Sequence, residues 1–422
     1  MVIATSSRVE GQPLPPNTSF GSKQPPLVLS ALVEEALARN PGLQAERQEW
    51  LAKKSLVPGA GSLEDPSLGV TEWMLPANFG LSQLYASTMI WYGIDQRFPF
   101  PGKLELRVEQ AQKIAGSTRY HYLSKKRQLV RKVKQAYYRL ALARERELVH
   151  LHHLELLKEF EKTAQIMYVS GLVPQQDALK ASVEYAEMSN RLLEDKREEQ
   201  SLRALIVFLL HRPSGTLLGD PRPLRFRPFP IRLDVLEDTA LRNRPEISQA
   251  HLLAEAEEKR TLLAKKEFLP DFSAGLYYMN VNGGPNGWMI DTAMTLPWIF
   301  PSKHESAVRE TAARKASLKK EESALRDRTL FEVKDLYYKI KSDESRVANY
   351  ESGILPQAES SLHSSQIGYQ SGKNDFLNLL DNERVLLELQ LDYYKILADL
   401  EMRKATLEQI VGKKLDGSKG AY

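Results

Sequence analysis

Phe100-Pro101-Gly102-Lys103 recurs in the same chain as Phe300-Pro301-Ser302-Lys303, 200 residues later. Tyr137-Tyr138 recurs at the same interval as Tyr337-Tyr338. Each four-residue motif opens a long stretch with few helix-breaking residues, and each Tyr-Tyr pair lies within it. These two stretches decide the fold, because each predicts a helix far longer than globular domains normally contain.

Other landmarks repeat at nearly the same distance. Asn40-Pro41 has a degenerate counterpart 204 residues later in Arg244-Pro245. Tyr168-Val-Ser-Gly171 corresponds to Tyr369-Gln-Ser-Gly372 at an interval of 201. The chain is therefore two copies of one structural unit fused in tandem, with small length differences in the loops.

The repeat divides the chain into five segments. Residues 1–26 form an N-terminal tail rich in Pro, Ser and Gly, which we expect to be disordered. Residues 27–212 are the first repeat and residues 232–412 the second. Residues 213–231, rich in proline and arginine, are predicted to be a linker on the surface, and residues 413–422 form a C-terminal tail.

Composition excludes several classes of function. The 58 basic and 54 acidic residues give a formal charge of only +4, which indicates no nucleic-acid partner. The absence of cysteine from all 422 residues excludes disulfides, thiolate metal sites, cysteine nucleophiles and an acylated N-terminal cysteine. No phosphate-binding loop, nucleophile elbow or metalloprotease motif is present, so we predict no catalysis and no cofactor.

Membrane and export signals are weak. The longest apolar run, Ala204–Leu210, is far shorter than the roughly 20 residues of a membrane-spanning helix. Residues 1–26 lack the basic start and apolar centre of a signal peptide. Three alternatives remain open: a removed export signal, a start placed downstream of it, or a protein that stays inside the cell.

Each repeat is predicted to begin with one helix of about 28 residues and to contain a much longer helix later. The first helices extend over Leu29–Val57 and from Leu233 to about Leu263. Lys103–Tyr168 contains no proline and one glycine, Gly116, and predicts a helix about 99 Å long at about 1.5 Å per residue.

The second copy of the long helix, which begins at Lys303 and extends to Gln370, is expected to break at Gly353 and Pro356. After each Ser-Gly turn a return helix of about 38 residues follows, Gln175–His211 in the first copy. Its counterpart in the second copy is Asn374–Val411. Apolar residues three and four apart along these helices are typical of helices packed side by side.

Between the first helix and the long helix, each repeat contains a predicted β-hairpin. The strands are Pro66–Met74 and Tyr85–Phe98 in the first copy, and Asp271–Met279 and Trp288–Pro297 in the second. Alternating polarity and aromatic ends are typical of transmembrane barrel strands. A soluble antiparallel sheet that caps a helical bundle remains an equal alternative from the strands alone.

Four strands leave a single chain with two open sheet edges. In lipid an unpaired backbone group costs several kcal/mol, so the sheet is expected to close with copies of itself. Two copies give eight strands and three give twelve. Long helices that continue such a barrel form a wide hollow bundle, which favours three copies.

The chain has one histidine cluster, formed by His150, His152 and His153. His150 and His153 share a helix face, as two ligands of a metal site do, but the sequence indicates no third ligand other than Glu147 or Glu155. We therefore expect a solvated helix face and no metal site.

This order of features over residues 27–412 resembles the TolC-like outer membrane efflux factors. Its markers are Asn-Pro in the first helix, Phe98-Pro99-Phe100-Pro101-Gly102-Lys103 after the hairpin, and Tyr-x-x-Gly at the far turn. The resemblance implies a mainly α fold with a small β part, built of two tandem helix–hairpin–long helix–helix repeats. It also implies a homotrimer in outer membrane lipid, whose twelve-stranded transmembrane β-barrel continues as an α-helical periplasmic tunnel.

The same resemblance implies function and partners. Members are passive ducts that receive substrate from an inner-membrane efflux pump through a periplasmic adaptor (membrane fusion) protein. The motif at the barrel exit resembles that of the heavy-metal efflux branch, while a heavy metal, a drug or another compound all remain open as the cargo. The implied location is the cell outer membrane.

The resemblance places the adaptor-docking tip at the first turn, which includes Tyr168, with Gly171 and Leu172 at the apex. At the second turn, after Gly372, family members carry two acidic rings that close the tunnel. The corresponding residues here are Asn378 and Asp381, so one of the two acids is retained.

A closed-state latch is also implied, which pairs Tyr369 with Asp177, while the arginine partner of the family is replaced by Asn374. Simpler interpretations remain for all these residues. The two glycines are explained by helix C-capping alone, the tyrosines by packing, Asp177 by helix capping and Asp381 by a solvated helix face.

Three functions are compatible with the sequence. The first is a passive conduit, with selectivity set by pore width and by lining charge such as a ring of Asp381. The second is a soluble coiled-coil scaffold or tether in which the hairpins cap a rod. The third is a phage or secretion-apparatus tube of the same plan.

Overall fold

The structure is a computed structural model that describes residues 25–73 and 89–415. The expectations for most of the N-terminal tail, for Met74 and the loop after it, for the start of the second predicted strand at Tyr85, and for the last residues of the C-terminal tail lie outside the described residues.

Each repeat opens with two helices, where the sequence predicted one. In the first repeat α1 is Leu29–Arg39 and α2 is Pro41–Ala60. In the second, α5 is Leu233–Asn243 and α6 is Pro245–Lys266. The prediction of a single helix was wrong at this point.

The break follows from the proline. The residue before a proline is forced out of the helical region, and Asn40 accordingly has an extended ψ of 117°. Its side chain then accepts a hydrogen bond of 3.1 Å from the backbone nitrogen of Leu43, which caps α2. Arg244 has nearly the same backbone conformation before Pro245, with ψ 116°.

The two hairpins form one antiparallel sheet. Strands β1 (Ser67–Trp73), β2 (Met89–Phe98), β3 (Phe272–Val281) and β4 (Gly287–Met294) lie side by side in chain order. The joint between the repeats is β2 against β3. In the described residues β1 and β4 are the outer strands, each with one unpaired edge.

The register is the same in both hairpins. Gly69 faces Gly93 in the first, and the repeat-equivalent residues Ser273 and Ala293 face each other in the second. The repeat therefore includes the pairing register of the strands within each hairpin.

The long helices are as extended as the sequence predicts. Helix α3 covers Lys103–Val169, 67 residues, which corresponds to about 100 Å at about 1.5 Å per residue. The return helices are α4 (Gln175–Leu209) and α9 (Phe376–Val411). None of the helices in the described part of the chain is both long enough and apolar enough to cross a membrane.

The second long helix deviates where a break was expected. Helix α7 covers Pro301–Asn349, a π-helical turn follows over Tyr350–Ile354, and α8 continues from Leu355 to Gln370. The wider turn lies directly before Pro356, which has no backbone N–H to donate to an α-helical ladder. The helix is therefore locally rewound and is not interrupted.

Helix α3 is the centre of the packing, since it contacts α2, α4, α6 and α9. Apolar side chains are buried in several clusters along the helices, and the repeat-equivalent residues Leu140 and Ile340 are both fully buried. Leu218 and Phe229 lie in the segment between the repeats, where both are buried and pack this segment against the helices.

The expectation of a solvated histidine face was wrong. His153 is 0% exposed and its Nδ1 lies 2.7 Å from Oε1 of Glu383 on α9. His150 is also buried, with Nδ1 2.5 Å from Oδ2 of Asp195 on α4. The helices that pack on α3 supply these carboxylates, and the sequence of α3 alone does not reveal them. The described residues contain no group of three or more side chains able to hold a metal ion.

Candidate functional site

The first candidate tip is the turn between α3 and α4. Gly171 has φ +72°, a left-handed conformation that costs other residues energy, and the nitrogen of Leu172 donates to the Met167 oxygen at 2.9 Å. Helix α4 then begins after Pro174. The backbone geometry is that of a Schellman C-cap, so capping explains this glycine.

The second candidate tip, between α8 and α9, repeats this geometry. Gly372 has φ +70°, and the nitrogen of Lys373 donates to the Gly368 oxygen at 2.8 Å. Asp375 caps α9, since its carboxylate accepts a bond of 2.9 Å from the nitrogen of Asn378.

The side chains at the two turns differ in polarity. At the first turn Val169 is 81% and Leu172 is 71% exposed, and the ring of Tyr168 is also exposed. The residue that corresponds to Leu172 at the second turn is the exposed Lys373. One tip is therefore apolar and the other charged.

Tyr369 lies inside the tip, in the apolar cluster shared by the ends of α3, α4, α8 and α9. It is 1% exposed, and its ring centroid is 5.2 Å from that of Phe376. The phenol ring thus fills the space between the two helical hairpins, which supports the packing interpretation of this residue.

The structure also brings Tyr369 close to Asp177. Burial, and next the charge of Asp177, raise the pKa of Tyr369 to about 12. Burial raises the pKa of Asp177, against the opposing effects of Lys180 and Tyr369. The buried Tyr369 hydroxyl nevertheless makes no hydrogen bond of ordinary geometry within the described residues. The two groups are therefore electrostatic neighbours.

The other predicted tip residues lie apart from this pair. Asn374 packs over Gly368, where a Cβ atom would come within 2.5 Å of the Asn374 amide nitrogen. Asn378 and Asp381 are exposed in the first two turns of α9. No hydrogen bond or ion pair in the described residues joins Asp381 to Tyr369 or Asp177.

An ion pair that the sequence did not suggest connects the two return helices. Arg384 on α9 bonds Glu184 on α4. The charges are 200 positions apart in the chain and each lies among many similar residues, so no local signal marks them. The pair joins α4 of the first repeat to α9 of the second.

A buried lysine with two carboxylate partners lies at the other end of α3, where the sheet meets the helices. Lys103 is 1% exposed, and its Nζ lies 2.8 Å from Asp271 and 3.0 Å from Glu267. Asp271 also accepts a bond of 2.7 Å from the nitrogen of Phe100. The only sequence signal for this cluster was the repeated motif that ends in Lys103.

The geometry matches known proteins. The sequence pattern of the family described as outer membrane efflux protein matches residues 32–209 and again 236–413. Among curated proteins, the cobalt-zinc-cadmium resistance protein CzcC of Cupriavidus metallidurans is 23% identical over 287 residues. That alignment covers 66% of this chain and 66% of CzcC, slightly less than two thirds of the relative.

Two solved structures have the same fold. The outer-membrane channel OprN is similar with a TM-score of 0.80 at 18% identity, over 92% of this chain and 90% of OprN. The outer membrane protein VceC of Vibrio cholerae is similar with a TM-score of 0.78 at 18% identity, over 92% of this chain and 97% of VceC. The expected arrangement of four strands and long helices is confirmed.

Proposed function

Since this chain belongs to the outer membrane efflux protein family, we propose that it forms the passive exit duct of a tripartite efflux system. It is an outer membrane protein with a periplasmic helical part. The observation that carries the proposal is the sheet, whose two outer edges are unpaired in the described residues, directly above helices about 100 Å long.

The duct requires several copies of the chain. The inner strands β2 and β3 have 10 residues each, the length of tilted strands that cross a bilayer, and the outer strands β1 and β4 have 7 and 8 residues within the described part of the chain. An open edge in lipid is costly, so β1 and β4 pair with neighbouring copies. Three copies give a twelve-stranded barrel, wide enough to continue as a hollow helical tunnel across the periplasm.

The periplasmic adaptor docks at the tips, and an inner-membrane pump supplies the energy. The apolar first tip supports this, because exposed large apolar side chains such as Val169 and Leu172 are typical of contact surfaces. Gly171 and Gly372 fix the two turns, while Tyr168 borders the apolar tip.

Closure of the tunnel mouth involves the electrostatic pair of Tyr369 and Asp177 and the carboxylates of α9. Three copies of Asp381 around a narrow opening favour cations. Asn374 and Asn378 supply neutral polar groups at positions where the family carries charge, and Arg384 with Glu184 supplies an ionic link between the two hairpins of the tip.

Divalent metal cations are the cargo class that we favour, because the curated relative is a cobalt-zinc-cadmium resistance protein and because Asp381 supplies a carboxylate at the mouth. Cells that lack the protein should accumulate more zinc, cobalt or cadmium than cells that produce it. Equal metal contents together with increased retention of organic drugs would favour a drug duct.

The duct is distinguished from a soluble scaffold by extraction and conductance. The protein should sediment with the outer membrane, require detergent for extraction, and give stepwise currents in planar bilayers. A folded protein that appears in the soluble fraction and gives no current would support the scaffold.

A further inference from the structure

The cluster around Lys103 has an incomplete counterpart in the second repeat. Lys303, 200 residues later, opens α7 after the same Phe-Pro motif, yet its side chain is exposed and has no ion pair within the described residues. Lys103 closes the joint between the two repeats, because its carboxylates come from the α6–β3 junction of the other repeat. By the repeat relation, the junction that corresponds to α6–β3 for Lys303 is α2–β1, which adjoins the opposite outer strand of the sheet.

The α2–β1 junction contains suitable groups. Glu64 and Asp65 are both exposed and lie in the segment between α2 and β1, one or two positions from the repeat equivalents of Glu267 and Asp271. Glu64 has only a loose contact of 3.8 Å with Arg97, and Asp65 has no ion pair within the described residues. The Lys303 cation and the two carboxylates thus adjoin the two opposite outer strands of the sheet in one molecule.

The strand edges give the register of the contact. The two hairpins have one register, and β2 and β3 join with Ile94 opposite Leu276. Ile94 corresponds to Met294 at the interval of 200, and Leu276 corresponds to Glu72 at the interval of 204. The equivalent contact between copies therefore places Met294 of β4 opposite Glu72 of β1 in a neighbouring copy. A slip of one residue would turn every side chain to the other face, so this register is a sharp expectation.

The helices indicate the same neighbour. Leu380, eight residues after Gly372, is 4% exposed in the cluster that α9 shares with α3. Leu179, eight residues after Gly171, is 59% exposed. The position is covered in one repeat and uncovered in the other, as expected if α8 of another copy covers Leu179.

We propose that the seam between copies repeats the internal joint, with Lys303 paired to the Glu64-Asp65 carboxylates of the next copy and Met294 facing its Glu72. This inference rests on the proposed ring of copies and adds its residue contacts. The occupant of both open edges is a second molecule of this chain.

The chain has no cysteine, so the register can be tested with a single engineered disulfide. Facing residues of antiparallel strands have Cα atoms about 4.5–5.5 Å apart, within the range of a disulfide. Oxidation of the double variant Glu72→Cys/Met294→Cys should give covalent dimers and trimers on a non-reducing gel. The matched control Thr71→Cys/Met294→Cys, shifted by one residue to the opposite face, should remain monomeric.

The ion pair is tested by charge reversal. Lys303→Glu and Asp65→Lys should each lower the temperature at which the assembly dissociates in detergent, and the combined variant should restore it. If neither single variant lowers the dissociation temperature and the combined variant does not change it either, Lys303 makes no ion pair with the next copy.

The number of copies in the unsubstituted protein separates the failure of the seam from the failure of the duct. If that protein is a multimer while the Glu72/Met294 cysteines do not cross-link, or the control cross-links instead, the register is wrong and the duct stands. A folded single chain in detergent would overturn both.

Discussion

The ammonium of Lys103 lies 2.8 Å from the carboxylate of Asp271, which is 168 positions later in the chain and directly precedes β3 at the joint between the repeats. A lysine that is 1% exposed carries the cost of lost hydration, which its carboxylate partners and the Leu269 oxygen at 3.3 Å offset. The contact fixes the base of the sheet to the start of the longest helix.

Replacing Lys103 with methionine should destabilise the chain strongly. The change keeps the length of the side chain but leaves Asp271 and Glu267 without their cation. Removal of one partner of a buried pair costs about 3–5 kcal/mol, and about 3 kcal/mol is expected here because the carboxylates are partly exposed. Thermal unfolding in detergent measures the effect. Lys320→Met, on an exposed turn of α7, is the matched control and should change stability by less than about 0.5 kcal/mol.

Removing the electrostatic pair at the tip should open the duct. Tyr369→Phe deletes a hydroxyl that makes no hydrogen bond of ordinary geometry, so by itself it should cost little stability. Combined with Asp177→Ala, it should raise single-channel conductance in planar bilayers. Tyr168→Phe, at the exposed neighbouring turn, is the control. Unchanged conductance in the double variant would remove Tyr369 and Asp177 from the gate.

The tip should loosen as the pH rises. Burial raises the pKa of Asp177 above its usual value, and a carboxyl with a raised folded pKa stabilises the fold at pH values below its unfolded pKa. That contribution is lost as the pH rises through the raised folded pKa. Tyr369, whose pKa is raised to about 12, remains neutral in this window.

Hydrogen exchange can measure this pH effect. Protection factors of amides in the first turns of α4 and α9 should fall as the pH rises above 3.8, the ordinary pKa of an aspartate, and through the raised folded pKa of Asp177, while Asp177→Asn should flatten that dependence. An equal fall in the variant would assign the effect to another group.

The buried pair of His153 and Glu383 should behave as a unit. Each single leucine substitution leaves one polar partner buried and should cost about 3–5 kcal/mol. The double substitution should cost clearly less than the sum, because the leucines pack in the apolar cluster between α3 and α9. Chemical unfolding followed by circular dichroism measures the cycle. Additive losses would show that the two residues act independently, for example through the Gln390 contact of His153 at 3.2 Å.

Local sequence rules predicted the repeated architecture, since proline positions, turn residues and helix length are encoded within each segment. Asn40 shows their limit: Asn40-Pro41 was placed inside one continuous helix, whereas the structure has a helix boundary there, because a residue before proline is disfavoured in the helical region. Gly171 and Gly372 were predicted as turn residues and have the left-handed conformation that glycine favours.

Long-range pairs were not predictable in the same way. His153 contacts Glu383, which is 230 positions away in the chain, and Arg384 bonds Glu184, which is 200 positions away. Each of these partners is one of many charged residues on regular helix faces, and only the packing of the helices selects it. The pairing of Tyr369 with Asp177 was reached through the family resemblance, because nothing in their own surroundings in the sequence marks them.

We propose that this chain completes its sheet only with copies of itself around a pore. The most direct test is the number of chains in the detergent-extracted particle, measured by light scattering with the detergent contribution subtracted. Three chains per particle are predicted. A folded particle of one chain, with β1 and β4 still unpaired, would contradict the account.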